Sequence, residues 1–156
     1  MSYRPRVCVD TSALVKWFKD EKERLEAIKL RSWAEERKIK LVVSAVVLTE
    51  CARAFKKASY DKEEIYEILD MLDAFNGLCG VDIVPVDGLI IKSAQGLIVE
   101  YNLYSADAIH AATAILTESD FFVSNDEHHF EHNLKSHLDE RNVRLLRLSE
   151  VEQITG

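Results

Sequence analysis

The sequence predicts an α/β fold built on a mostly parallel sheet, and three observations carry that reading. Five short runs of strand formers recur along the chain: Val7 to Val9, Leu41 to Val43, Ile83 to Val86, Phe121 to Val123 and Val143 to Leu146. Longer stretches with apolar residues at helical spacing lie between them. A chain of 156 residues, 47% hydrophobic and 30% charged with five Gly and two Pro, has room for one compact core and is short for two. Strands that alternate with helices form βαβ units, whose sheet is parallel and covered on both faces. No repeat, low-complexity tract or linker interrupts the pattern, so residues 1–156 read as a single domain.

The first strand, "RVCV", stops on Asp10, after which Thr11 and Ser12 open a helix. In "KDEKERLEAIKLRSWAEERKI", Leu25, Ile28 and Trp33 stand among charges. The second strand leads into the helix "SAVVLTECARAFKKA", with Ser44 as its expected N-cap. In "YDKEEIYEILDMLDAF", Ile65, Ile68, Leu69 and Leu72 share one face, and Asp61 with Glu64 forms a capping box. Asp87 and Ser105 are the expected N-caps of two further helices. The second of these, "SADAIHAATAIL", has so little polar surface that it must be enclosed or covered by another subunit.

Composition also excludes classes of function. A formal charge of −7 and a pI near 5.3 argue against a protein that grips nucleic acid over its whole surface, so any such contact must be local. Cys8, Cys51 and Cys79 form no CxxC pair and read as free thiols of a reducing compartment. The N-terminus lacks the apolar stretch of a signal peptide, and no run approaches the ~20 apolar residues of a membrane span. The expected location is the cytoplasm.

In a parallel sheet every strand points the same way, and residues leaving the strand ends gather on one rim, where ligands bind. Asp10 and Asp126, which follow the first and fourth strands, belong to that rim. Glu50 lies about 9 Å along its helix from Ser44, at ~1.5 Å per residue. It points partly into the apolar stripe and needs a partner. Asp107 sits in the first turn of a helix that must descend from the rim to feed "FFV". Four acids from four segments thus converge by topology. Bare carboxylates repel, and some would take up protons to coexist; Mg²⁺ or Mn²⁺, which prefer oxygen ligands, remove the difficulty.

The motifs "VDTSALVKWF", "SAVVLTECARAF", "SADAIHAATAI" and "FVSND", in that order and across nearly the whole chain, resemble the PIN-domain nucleases. They look in particular like the small stand-alone members that act as toxins of toxin–antitoxin pairs. The resemblance implies a three-layer, Rossmann-like PIN fold with a central parallel sheet of about five strands. It also implies a pocket for Mg²⁺ or Mn²⁺ and endoribonuclease activity. Asp10, Glu50, Asp107 and Asp126 match the family's acids, which would bind the metal, and Ser12 and Ser124 match its accessory polar positions. The chemistry that follows is metal-assisted phosphodiester hydrolysis leaving 5'-phosphate and 3'-hydroxyl ends. The implied partners are an RNA substrate, a second copy in a homodimer, and an antitoxin protein.

Each acid also has a structural reading. Asp107 complements a helix dipole, Glu50 can pair with Arg53 at i, i+3, and Asp126 sits in turn-forming sequence. Their joint occurrence favours the site. His128, His129, His132 and His137 crowd one segment, but no Cys or HExxH pattern accompanies them, so surface or RNA-contacting roles are favoured over zinc. His110 reads as an orienting neighbour of Asp107. Lys16, Lys19, Arg53, Lys56 and Lys57 offer phosphate contacts near the pocket, Lys16 foremost.

Rival functions fit less well. A haloacid-dehalogenase-type phosphatase needs a second Asp where Ser12 stands, and "VDTSA" has no glycine for a nucleotide loop. A PIN nuclease of RNA maturation or decay, or a catalytically inactive RNA- or protein-binding PIN module, remains the alternative.

Overall fold

A computed structural model describes residues 3–156. Its five-stranded sheet is parallel throughout, in the order β3-β2-β1-β4-β5. The strands are β1 (Arg6–Val9), β2 (Lys40–Ser44), β3 (Asp82–Val84), β4 (Phe121–Val123) and β5 (Arg144–Leu146). All five predicted strands are present. The third is shorter than expected because Pro85, which cannot donate to a ladder, follows it directly.

Alternation along the strands builds two cores. Val7, Val9, Leu41, Val43, Val123 and Leu146 face one side of the sheet, and Cys8, Val42, Phe122 and Leu145 face the other. The first side is covered by α1 (Thr11–Leu14) with the 3-10 turn Val15–Trp17, α2 (Arg24–Glu35), α3 (Val46–Lys57), α4 (Lys62–Cys79) and the C-terminal 3-10 segment Leu148–Ile154. The second is covered by α5 (Gly88–Tyr101), α6 (Ser105–Leu116) and α7 (Leu134–Asp139). The three layers expected from the sequence are there.

Several local expectations hold for stated reasons. Asp61 and Glu64 form the capping box of α4, and Asp87 caps α5 through the Ile90 N–H. Ile65, Ile68 and Leu72 are buried and Leu69 half-buried, so the predicted face of α4 is its core face. At the other end of α4, Gly80 takes φ +61°, a left-handed conformation that a side chain would resist. Helix α6 is enclosed by its own fold, with Ala108, Ala111, Ala112 and Ala114 fully buried between the sheet and α5.

Three local expectations are corrected. Ser44 stays in the sheet, aligned with Val84, so α3 starts after Ala45, and the Ser44 hydroxyl only accepts from the Val46 N–H at 3.2 Å. Ser105 is the first helical residue of α6, and extended Tyr104 precedes it as the cap. In α2 the buried face is Ala27, Leu30 and Ala34, at i, i+3, i+7, while Leu25 is 76% exposed. The larger side chains misplaced the stripe that the alanines and Leu30 define. No helix among the described residues is long and apolar enough to cross a membrane.

Candidate active site

The chain folds outward in both directions from β1, since β2 and β4 flank it. The crevice beyond the carboxyl ends of β1 and β4 is therefore the place where such sheets bind ligands. Asp10 leaves β1 there. Its N–H extends the ladder to the Val123 carbonyl at 3.3 Å, and its extended backbone makes it the N-cap of α1.

Asp10 is 2% exposed, and both its oxygens are engaged. Oδ1 accepts from the Ser12 hydroxyl at 2.7 Å and the Ala13 N–H at 3.2 Å, and Oδ2 accepts from the Ser124 hydroxyl at 2.6 Å. A buried carboxylate survives only with such donors. Ser12 in turn accepts the Asn125 N–H at 2.9 Å, tying the start of α1 to the loop after β4. Asn125 pins that loop further: its Oδ1 accepts from the Leu148 N–H at 3.1 Å, and its Nδ2 donates to Glu23 at 3.3 Å.

Ser124 is the hub of the cluster. Besides donating to Asp10, its oxygen accepts the Asp126 N–H at 3.0 Å and meets His129 Nδ1 at 2.8 Å, a full complement for a hydroxyl. The other ring nitrogen, Nε2, donates to the Asp107 carbonyl at 3.0 Å. His129 is fully buried, with its ring edge-on to Phe122. This corrects the surface role expected for it. The 3-10 turn Glu127–Phe130, which Asp126 caps through the His128 N–H, folds the ring inward. His128 and His132 are exposed as expected, whereas His137 is half-buried against Tyr101.

Glu50 has found its partner, and it is not Arg53. Its Oε1 accepts from Thr11 Oγ1 at 2.6 Å and lies 2.5 Å from His110 Nε2, so a contact from α3 reaches α6. Burial works to raise the Glu50 carboxyl, but the hydrogen bonds from His110 and Thr11 outweigh it and hold it below the usual carboxylate range. His110 is 2% exposed. Burial works to lower its imidazole, while the Glu50 bond and the charges of Asp10, Glu50 and Asp107 raise it overall. Its Nδ1 is buried with no partner.

Asp107, in the first turn of α6, is pushed up to about 6 by burial, with the neighbouring Asp126 and Asp10 carboxyls adding and His129 opposing. The repulsion expected of clustered acids is thus present. All six residues singled out from the sequence, Asp10, Ser12, Glu50, Asp107, Ser124 and Asp126, occupy one end of the sheet. Yet among the described residues no three His, Cys, Asp or Glu side chains form a ready-made metal cage. Glu50 is turned toward His110 and Thr11, and both Asp10 oxygens already carry donors.

The expected basic contacts fare differently. Lys16 and Lys19 both pair with Glu21 at 3.1 Å, so their charge is spent locally. Arg53, Lys56 and Lys57 are exposed. Sequence reading missed Arg147, which grips Glu127 with both terminal guanidinium nitrogens and lies 3.8 Å over the Phe130 ring. No spacing rule links positions 127, 130 and 147.

A family model described as "PIN domain" matches residues 7–133. The chain belongs to the PIN domain family. Solved structures support the same fold. FitAcB from Neisseria gonorrhoeae superposes with a TM-score of 0.66 at 15% identity, over 92% of this chain and 99% of that one. VapBC2 from Rickettsia felis, bound to a DNA fragment from its promoter, gives 0.60 at 19% over 91% and 98%. A toxin–antitoxin complex from Klebsiella pneumoniae gives 0.58 at 20% over 81% and 89%. At these identities the likeness is one of fold. Among the curated proteins the sequence has no match. The PIN match contains every acid and serine of the cluster.

Proposed function

We propose that this PIN protein is a metal-dependent endoribonuclease that hydrolyses RNA phosphodiester bonds, and that it is the toxin of a toxin–antitoxin pair. The observation that carries the reading is the gathering of Asp107 and Asp126 beside buried Asp10, where burial first and the neighbouring carboxyls second push Asp107 up to about 6. A hard divalent cation relieves that crowding, and an all-oxygen donor set suits Mg²⁺ or Mn²⁺. Asp10, Glu50, Asp107 and Asp126 would hold it. Once bound, such an ion supplies Lewis-acid polarisation and neutralises charge on the phosphate and the leaving oxygen.

The chain's own residues prepare this. Ser12 and Ser124 fix the Asp10 carboxylate from opposite sides, leaving its remaining lone pairs in a set direction. Thr11 and His110 hold Glu50 ionised at the edge of the same cluster. Asp107 would give up its proton to a bound cation, because the burial and repulsion that favour the protonated form would then be offset.

The solved relatives that are toxin–antitoxin complexes support a toxin role with an antitoxin partner. Exposed Leu89 and Val99 on α5, and Met71 and Leu78 on α4, supply apolar surface for a second copy and for the antitoxin. The reading places the protein in the cytoplasm, where its RNA would be.

Cleavage of end-labelled single-stranded RNA in Mg²⁺ or Mn²⁺ tests the proposal. Activity should vanish in EDTA and in Asp10→Asn, and the products should carry 5'-phosphates. Metal-independent cleavage, or 2',3'-cyclic ends, would refute it. A silent binding module is the second reading, favoured by the turn of Glu50 toward His110; RNA binding without cleavage in either metal would select it.

A further inference from the structure

His129 stands between the two elements that deliver the acids. One ring nitrogen meets the Ser124 hydroxyl at 2.8 Å, and through it Asp10 Oδ2 at 2.6 Å. The opposite nitrogen meets the backbone carbonyl of Asp107 at 3.0 Å. The ring is fully buried and packed edge-on to Phe122, with 5.0 Å between centroids, so it has little freedom to turn. Rigid and bonded at both ends, it spans the gap between the mouth of β1 and the first turn of α6.

We infer that His129 is a positioning residue that sets the spacing of Asp10 and Asp107 and orients the Ser124 hydroxyl onto Asp10. It touches neither substrate nor metal in this role. The inference rests on the nuclease reading for its consequence, and on geometry for its content. Ser124 needs its hydrogen directed at Asp10, and a hydroxyl rotor holds that direction when its other contacts are fixed. The Asp126 N–H at 3.0 Å and the His129 ring nitrogen Nδ1 at 2.8 Å fix them. Removing the ring frees the rotor and also releases the Asp107 carbonyl, so one substitution loosens the cluster at two acids. Residues of this kind behind a metal ligand typically change metal affinity or activity by roughly 10- to 100-fold.

Three variants of the full chain separate the two bonds. His129→Phe fills the space with neither donor. His129→Asn carries an amide nitrogen near the Nδ1 position and keeps the Ser124 contact, whereas His129→Gln reaches the Nε2 position and keeps the Asp107 contact. Each is measured by Mn²⁺ calorimetry, by RNA cleavage and by thermal denaturation. Folded His129→Phe should bind Mn²⁺ at least tenfold more weakly and lose kcat to a similar extent, with KM for RNA within twofold. His129→Asn should recover most of the Mn²⁺ affinity, and His129→Gln should recover less.

The inference is overturned if His129→Phe binds Mn²⁺ and turns over within twofold of the wild type. It is equally overturned if Asn rescues no better than Phe and losses merely follow thermal stability. A wild-type chain that binds no Mn²⁺ and cuts no RNA would instead bring down the nuclease reading and this inference with it, an outcome distinct from the other two.

Discussion

Glu50 Oε1 and His110 Nε2 stand 2.5 Å apart, joining α3 to α6 beside the acid cluster. The contact sets a pH window for stability. His110 is raised in the folded chain, so its contribution is complete below its ordinary value of 6.5 and fades as pH climbs through the raised one. Glu50 is lowered, so its contribution is present above 4.5 and fades as pH falls through the lowered value. Both are in force between about pH 4.5 and 6.5. In EDTA, Glu50→Gln should lower Tm relative to the wild type most within that window and progressively less at higher pH. A Tm gap that widens steadily toward pH 9 would contradict the pairing.

Asp107 carries the opposite sign. Its carboxyl is raised from 3.8 to about 6, so the folded chain holds that proton more tightly than the unfolded one. Stability therefore declines as pH rises through roughly 4 to 6, and the penalty persists above. In EDTA, Asp107→Asn should raise Tm by a few degrees at pH 8 and by almost nothing at pH 4. Saturating Mn²⁺ should raise Tm in the wild type and much less in Asp107→Asn. Scanning calorimetry at the two pH values, with and without metal, checks both statements.

These relationships show where the sequence was readable. Strand ends and helix direction alone put Asp10, Glu50, Asp107 and Asp126 at one rim, because a parallel sheet allows no other arrangement once the βαβ order is set. The partners of those acids were not readable. Glu50 chose His110, sixty positions away, over Arg53 one turn along, because its side chain reaches past Thr11 at the end of the sheet to α6 on the opposite face, whereas Arg53 is exposed to solvent. His129 looked like its exposed neighbours His128 and His132, since only the 3-10 turn separates their directions. Its buried aromatic neighbour, Phe122, belongs to a different element.

The two serines should differ in what their loss costs. Ser124 is fully buried, and Ser124→Ala leaves Asp10 Oδ2, the Asp126 N–H and His129 Nδ1 without their common partner. Each unsatisfied buried group costs about 1–3 kcal/mol, so the net loss should reach at least that range. Ser12 is only half-buried, and water can replace its hydroxyl at Asp10 Oδ1 and the Asn125 N–H. Ser12→Ala should cost about 1 kcal/mol or less. Urea denaturation in EDTA gives the two values, and a reversed order would show that Ser124 is not the hub.

Asn125 offers a test of how the Asp126 loop is held, without touching an acid. Its Oδ1 accepts from the Leu148 N–H, and its Nδ2 donates to Glu23. Asn125→Asp keeps the acceptor for Leu148 but sets a second carboxylate against Glu23, where like charges repel. Asn125→Ala drops both contacts and adds no charge. The Asp variant should therefore lose more stability at pH 8 than at pH 4, where carboxyls begin to protonate, whereas the Ala variant should lose a similar amount, about 1 kcal/mol, at both. Denaturant midpoints at the two pH values decide it: a pH-independent Asp variant would mean that Glu23 does not hold the loop.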